Sequence, residues 1–134
     1  MGITSKTIAP FIAAAISVEG VYEEVEKETV EGLAEELELK DLGKEVEAAF
    51  KKIEKLEEDD FDTYLEEAAK KVKATEKEAV LLVTLDMLAC DGVITADEME
   101  NYFAFADVLN VEEERASEIF DAYVEDAEDL EIEA

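Results

Sequence analysis

Carboxylates supply most of the potential chemistry in this chain, and two of them stand at a telling spacing. Residues 89–102 read ACDGVITADEMENY. Asp91 precedes Gly92, and Glu98 lies seven residues after Asp91. A hard cation needs several oxygen ligands, and a glycine turn lets the chain fold them around it. Asp91, Gly92 and Glu98 match the second half of the calcium-loop pattern D-x-[DN]-x-[DN]-G-x5-E. Counting back from Gly92 puts Met87 and Ala89 on the first and third ligand positions. Neither side chain carries oxygen, which rules out a conventional EF-hand. The segment is expected instead to form a helix–turn–helix corner, with Gly92 ending one helix and Thr95 starting the next.

Each acid also has a plainer role. Glu98 stands three residues after Thr95, the spacing of a capping box, where hydroxyl and carboxylate each accept a free amide. One carboxylate has a second oxygen to spare. Asp91 sits at the expected end of a helix, where a negative charge costs ~0.3–1 kcal/mol. A bound cation reverses that sign; otherwise Asp91 is an exposed acid or turns back to cap the next helix. Glu26 has Glu23, not Ser or Thr, three residues before it, so an exposed helix surface is its plain role. Cys90 offers a soft thiolate, but a lone cysteine in an apolar helix is ordinarily a small core residue.

A repeat places these residues on elements. A shift of 72 residues carries Ile8 onto Val80, Ile16 onto Leu88, and Glu19-Gly20-Val21 onto Asp91-Gly92-Val93. It also carries Glu26 onto Glu98, Ala34 onto Ala106, Leu37 onto Leu109 and Leu39 onto Val111. Each half reads as an apolar helix, an acid, a glycine and an amphipathic helix. The apolar run 8–18 mirrors 80–90, which makes it a buried helix rather than a leader peptide. Caps and apolar spacing predict helices near 6–19, 23–38, 42–57, 61–73, 76–91, 96–109 and 112–126. Thr75, Asp41, Asp60 and Asn110 are the expected N-caps, and Gly20, Gly43 and Gly92 the expected turns. The expected fold is an all-α bundle of about seven helices in one domain, 1–134, with pseudo-repeats at 6–57 and 76–127. Helices 6–19 and 76–91 should pack together at its centre, no sheet should appear, and the acidic tail 128–134 should fray.

The composition narrows the function. The formal net charge is −27, from 39 acidic and 12 basic side chains, with no histidine. Such a charge repels nucleic acid and anionic membranes and suits cations, a basic protein partner, or a salty milieu. The single cysteine forbids an internal disulfide. No run is long enough to span a bilayer. There is no nucleophile paired with a base and no phosphate loop, so a non-enzymatic protein is expected.

Two copies of an apolar helix ending in acid-Gly, each followed by a helix with Glu seven residues after the acid, resemble the TerB-like (tellurite resistance) domain. The copies are LACDGVITADEMENYFAFADVLNV (88–111) and AAISVEGVYEEVEKETVEGLAEELEL (14–39). The first copy carries Glu19 where that family usually has Asp. The resemblance implies an all-helical bundle, a cytoplasmic stress or tellurite-resistance association, and metal binding by the paired acids. Carried over, the metal candidates are Asp91 and Glu98, joined by Glu19 and Glu26. Oxygen ligands alone favour calcium or magnesium over zinc. The alternative is an acidic interaction module, a nucleic-acid mimic or scaffold that occupies a basic partner.

Overall fold

The computed structural model describes residues 4–19, 23–90, 92–127 and 130–133. The described residues form an all-α bundle of seven helices: α1 (Ser5–Glu19), α2 (Glu24–Glu36), α3 (Leu42–Glu54), α4 (Glu58–Lys70), α5 (Lys77–Leu88), α6 (Ala96–Val108) and α7 (Glu113–Asp126). A single 3-10 turn, Ala74–Glu76, leads into α5. Two short strands, β1 (Val93–Thr95) and β2 (Glu131–Glu133), pair in parallel.

Two helices with little polar surface hold the centre. In α1, Ile8, Phe11, Ile12 and Ile16 are buried; in α5, Leu81, Leu85, Met87 and Leu88 are. The two helices pack on each other, and α1 also runs along α3. Pro10 lies inside α1. It removes one amide donor and disfavours a free helix by ~3 kcal/mol. Burial of α1 among its neighbours offsets that cost. The outer helices are amphipathic, as the spacing predicts; α3 buries Leu42, Val46, Ala49 and Ile53 on one stripe. Tyr102 of α6 is fully buried and donates to the Ala116 carbonyl of α7 at 2.8 Å. Its ring packs edge-on against Phe103 at 5.1 Å and tilted against Phe120 at 5.5 Å. Burial pushes the Tyr102 phenol up to about 12.

The repeat is visible in the elements. The shift of 72 carries α2 (Glu24–Glu36) onto α6 (Ala96–Val108) residue for residue. It also carries Glu38 onto Asn110, the two non-glycine residues with positive φ among the described residues, at 57° and 60°. Both close their helix in the same way. Leu39 N donates to Ala34 O and Val111 N to Ala106 O, each at 2.8 Å, which is the Schellman pattern.

Several expectations need correction. A small parallel sheet is present, and the tail does not simply fray: Ile132 is in register with Ile94, and Glu131 N donates to Gly92 O at 2.9 Å. The buried Ile94 gives the tail strand its apolar partner. Asn110 is a left-handed helix terminator, and Glu112 is the N-cap of α7. Helix α4 opens after Glu57, so Asp60 lies inside it. Thr75 lies inside the 3-10 turn, where Glu76 accepts from Lys73 N at 3.4 Å. Gly43 lies within α3, and Glu38 turns the chain before it. Asp41 is the N-cap of α3, but its carboxylate accepts from Ser5 Oγ at 2.6 Å and ties the starts of α1 and α3 together. That bond lowers its pKa. Gly20 lies outside the described residues.

The left-handed Glu38 is a strained choice, since a Cβ there costs ~1–2 kcal/mol. Replacing it with glycine should therefore stabilise the fold by about 1 kcal/mol relative to Glu38→Gln, which removes the same charge but keeps the Cβ. Asn110→Gly should gain less, because asparagine tolerates this region. Urea unfolding of the three variants at fixed ionic strength checks the order; equal stabilities for Glu38→Gly and Glu38→Gln would contradict it.

Candidate functional site

The site candidates cluster where the central helices end and the acidic helices begin. Helix α5 ends at Leu88, with Ala89 as its cap. Gly92 N donates to Ala89 O at 2.9 Å, and Gly92 takes φ 87°, a left-handed turn that glycine makes without steric cost. Three residues later Thr95 opens α6. The corner is thus helix, glycine turn, short strand, helix, and β1 is the one part not foreseen.

Glu98 is buried, at 5% exposure, although it is charged. The capping box explains half of this. Thr95 N donates to Glu98 Oε1 at 2.9 Å, and Glu98 N donates to Thr95 Oγ1 at 3.2 Å. The other oxygen, Oε2, is buried and has no hydrogen-bond partner among the described residues. A buried acceptor without a donor costs free energy that its neighbours must offset.

Glu26 corrects its plain expectation. It is 3% exposed, not a surface acid. Glu23 N donates to Glu26 Oε1 at 2.7 Å, the same reciprocal contact that Glu98 makes, although the Glu23 side chain forms no cap bond in return. The backbone amide is donor enough, so no Ser or Thr at 23 is required. The second oxygen of Glu26 accepts from Cys90 Sγ at 3.6 Å, across 64 residues of sequence. Thus α2 of the first repeat starts beside the turn of the second, and Glu26 is brought next to the residue that precedes Asp91. Cys90 is half-buried rather than a fully enclosed core residue.

Asp91 and the side chain of Glu19 lie outside the described residues. Among the described residues, no group of three or more His, Cys, Asp or Glu is placed to hold a metal ion.

Sequence reasoning passed over one polar pair. Tyr123 of α7 donates to Asp86 Oδ1 of α5 at 2.7 Å. Desolvation raises the Asp86 pKa despite this bond, and Glu36 adds to the rise. The Tyr123 phenol is pushed up as well, by burial first and then by the Asp86 carboxylate. The signal was a lone carboxylate in the second half of a helix apolar on most sides.

A carboxylate whose folded pKa is raised binds more protons folded than unfolded, so stability falls as pH climbs from its unfolded value through the folded one. Asp86→Asn keeps an acceptor for Tyr123 and cannot ionise. Wild type should therefore lose stability relative to Asp86→Asn as pH rises through and above the ordinary aspartate value of about 4. Denaturant unfolding across that range reads the difference, and parallel curves would show that Asp86 is not desolvated. Separately, Thr95→Ala should cost about 1 kcal/mol and Thr95→Ser only a few tenths, since serine keeps the cap.

No family model, curated protein or solved structure matches the chain.

Proposed function

We propose that this chain is a non-enzymatic, TerB-like protein of the stress or tellurite-resistance type, which binds a divalent cation weakly at the turn between α5 and α6. Asp91 and Glu98 supply the ligands, with Glu26 and Glu19 of the first repeat as further candidates. The observation that carries this reading is the unpartnered, buried Oε2 of Glu98. Its other oxygen is fixed by Thr95 N, so the carboxylate is held in one orientation with one oxygen spare. A cation or a metal-bound water would satisfy that oxygen. Asp91 follows the last residue of α5 by three positions in sequence, and a cation would offset the cost expected of a carboxylate there.

The donor set fits a hard cation. Carboxylate oxygens suit calcium or magnesium, and the Cys90 thiol is directed at Glu26. Two to four carboxylates leave room for water, so the affinity is modest. No helix among the described residues is long and apolar enough to cross a membrane.

The test compares wild type with the double variant Asp91→Asn, Glu98→Gln. Glutamine keeps the capping bond to Thr95. Ionic strength is held constant, because any cation screens a chain of net charge −27. At a calcium concentration ten times the dissociation constant, binding should stabilise wild type by about 1.4 kcal/mol more than the variant. Equal stabilisation of the two by calcium and by magnesium would remove the site.

A further inference from the structure

The tail strand meets the rest of the chain at the turn between α5 and α6. Glu131 lies opposite Val93, Ile132 opposite Ile94 and Glu133 opposite Thr95. One hydrogen bond reaches beyond β1, from Glu131 N to Gly92 O at 2.9 Å. Gly92 N already donates to Ala89 O at 2.9 Å. Both polar groups of Gly92 are thus held, the amide by the end of α5 and the carbonyl by the tail. Gly92 is the left-handed residue of the corner, and glycine has the most backbone freedom to lose. Asp91 precedes it in sequence, and Thr95, whose amide holds Glu98, follows three residues later. The tail therefore ties down backbone that lies between the two proposed ligands in sequence.

The seat of the tail is weak. Each strand has three residues, and an isolated two-stranded pair is marginal in water. Ile94 is fully buried, but Ile132 keeps 36% exposure. Charge opposes the pairing as well. Residues 128–134 hold four acids and no base, and from Glu78 onward the sequence has 18 acidic side chains and one basic one. That base, Arg115, is engaged by Glu78 at 2.7 Å and by Glu118 at 3.0 Å. This half of the chain has no other cation to draw the tail in, and a divalent ion at the turn would supply one.

We infer that β2 is a cation-linked latch: its pairing fixes the Gly92 turn between Asp91 and Glu98, and an ion bound there draws the acidic tail onto β1. The inference rests on the cation reading and deepens it, because it makes the tail part of that site. Glu131 is a positioning residue that acts through its backbone amide, while the residue itself is exposed. The linkage is reciprocal. The factor by which the docked tail tightens the ion is the factor by which the ion tightens docking.

Calcium is the probe, on the full chain at constant ionic strength. Glu131→Pro removes the amide that donates to Gly92. Glu131→Ala removes the same charge and keeps that amide. Ile132→Gly loosens the strand with no change of charge. Calorimetry reads calcium affinity, and exchange of the Glu131 amide reads the latch. Glu131→Pro should bind calcium at least about fivefold more weakly than Glu131→Ala, and Ile132→Gly should be weakened likewise against wild type. Saturating calcium should slow Glu131 amide exchange in wild type by a similar factor, with the amides of α1 and α5 protected in every variant. Equal affinities of Glu131→Pro and Glu131→Ala would overturn the latch, and calcium binding by wild type would then leave the cation reading standing. Absence of calcium binding by wild type would remove both.

Discussion

Two helices that lack a polar side must be wrapped, and that constraint shapes the rest. Fully burying a side chain such as Ile8, Phe11, Leu81 or Leu85 contributes ~1.5–3 kcal/mol, and α1 and α5 carry many of them. Packing them on each other leaves most of each surface still to cover. The outer helices α2, α3, α4, α6 and α7 do so with one apolar stripe apiece and turn their charges to water. This is how a chain of net charge −27 tolerates its own repulsion: the charges sit mostly in high dielectric, where salt screens them.

The buried glutamates among the described residues share one structural position, the third residue of a helical segment, bonded to the amide that opens it: Glu76 does so in the 3-10 turn, and Glu26 and Glu98 do so as counterparts in α2 and α6. The helix N-terminus favours negative charge there, which makes burial tolerable. The two then diverge. Cys90 satisfies the second oxygen of Glu26, whereas that of Glu98 has no partner among the described residues. One copy is a closed structural joint, and the other leaves one carboxylate oxygen without a partner among the described residues.

Much of this arrangement was legible before any coordinates. The internal shift predicts α2 and α6 as counterparts because hydrophobic spacing and helix ends repeat together. The Thr95–Glu98 box was readable because it is local, with hydroxyl and carboxylate three residues apart. What the sequence hid was non-local or rested on the backbone. The local sequence predicts an exposed Glu26 because one partner of its buried carboxylate, Cys90, lies 64 residues away. Its capping bond has no side-chain signature because the donor is a backbone amide, which any residue but proline supplies at 23. The tail looked disordered because a three-residue strand gains order only from its pairing with Val93–Thr95. Asn110 is an expected helix start and is a helix end; asparagine favours N-caps and left-handed turns alike, and only the Schellman bond to Ala106 distinguishes them.

The cation reading makes a spatial claim: one acidic corner, built across the repeat, outcompetes all the other carboxylates of the chain. Paramagnetic broadening by substoichiometric manganese, followed amide by amide, tests this directly. Manganese is a hard divalent ion with oxygen preferences close to those of magnesium. The account predicts that residues 90–98 and 23–27 broaden first, while the exposed acids of α4 and α7 stay sharp. Even broadening along α4, α7 and the outer face of α2 would contradict it, and would leave the charge as a diffuse ion atmosphere with no site.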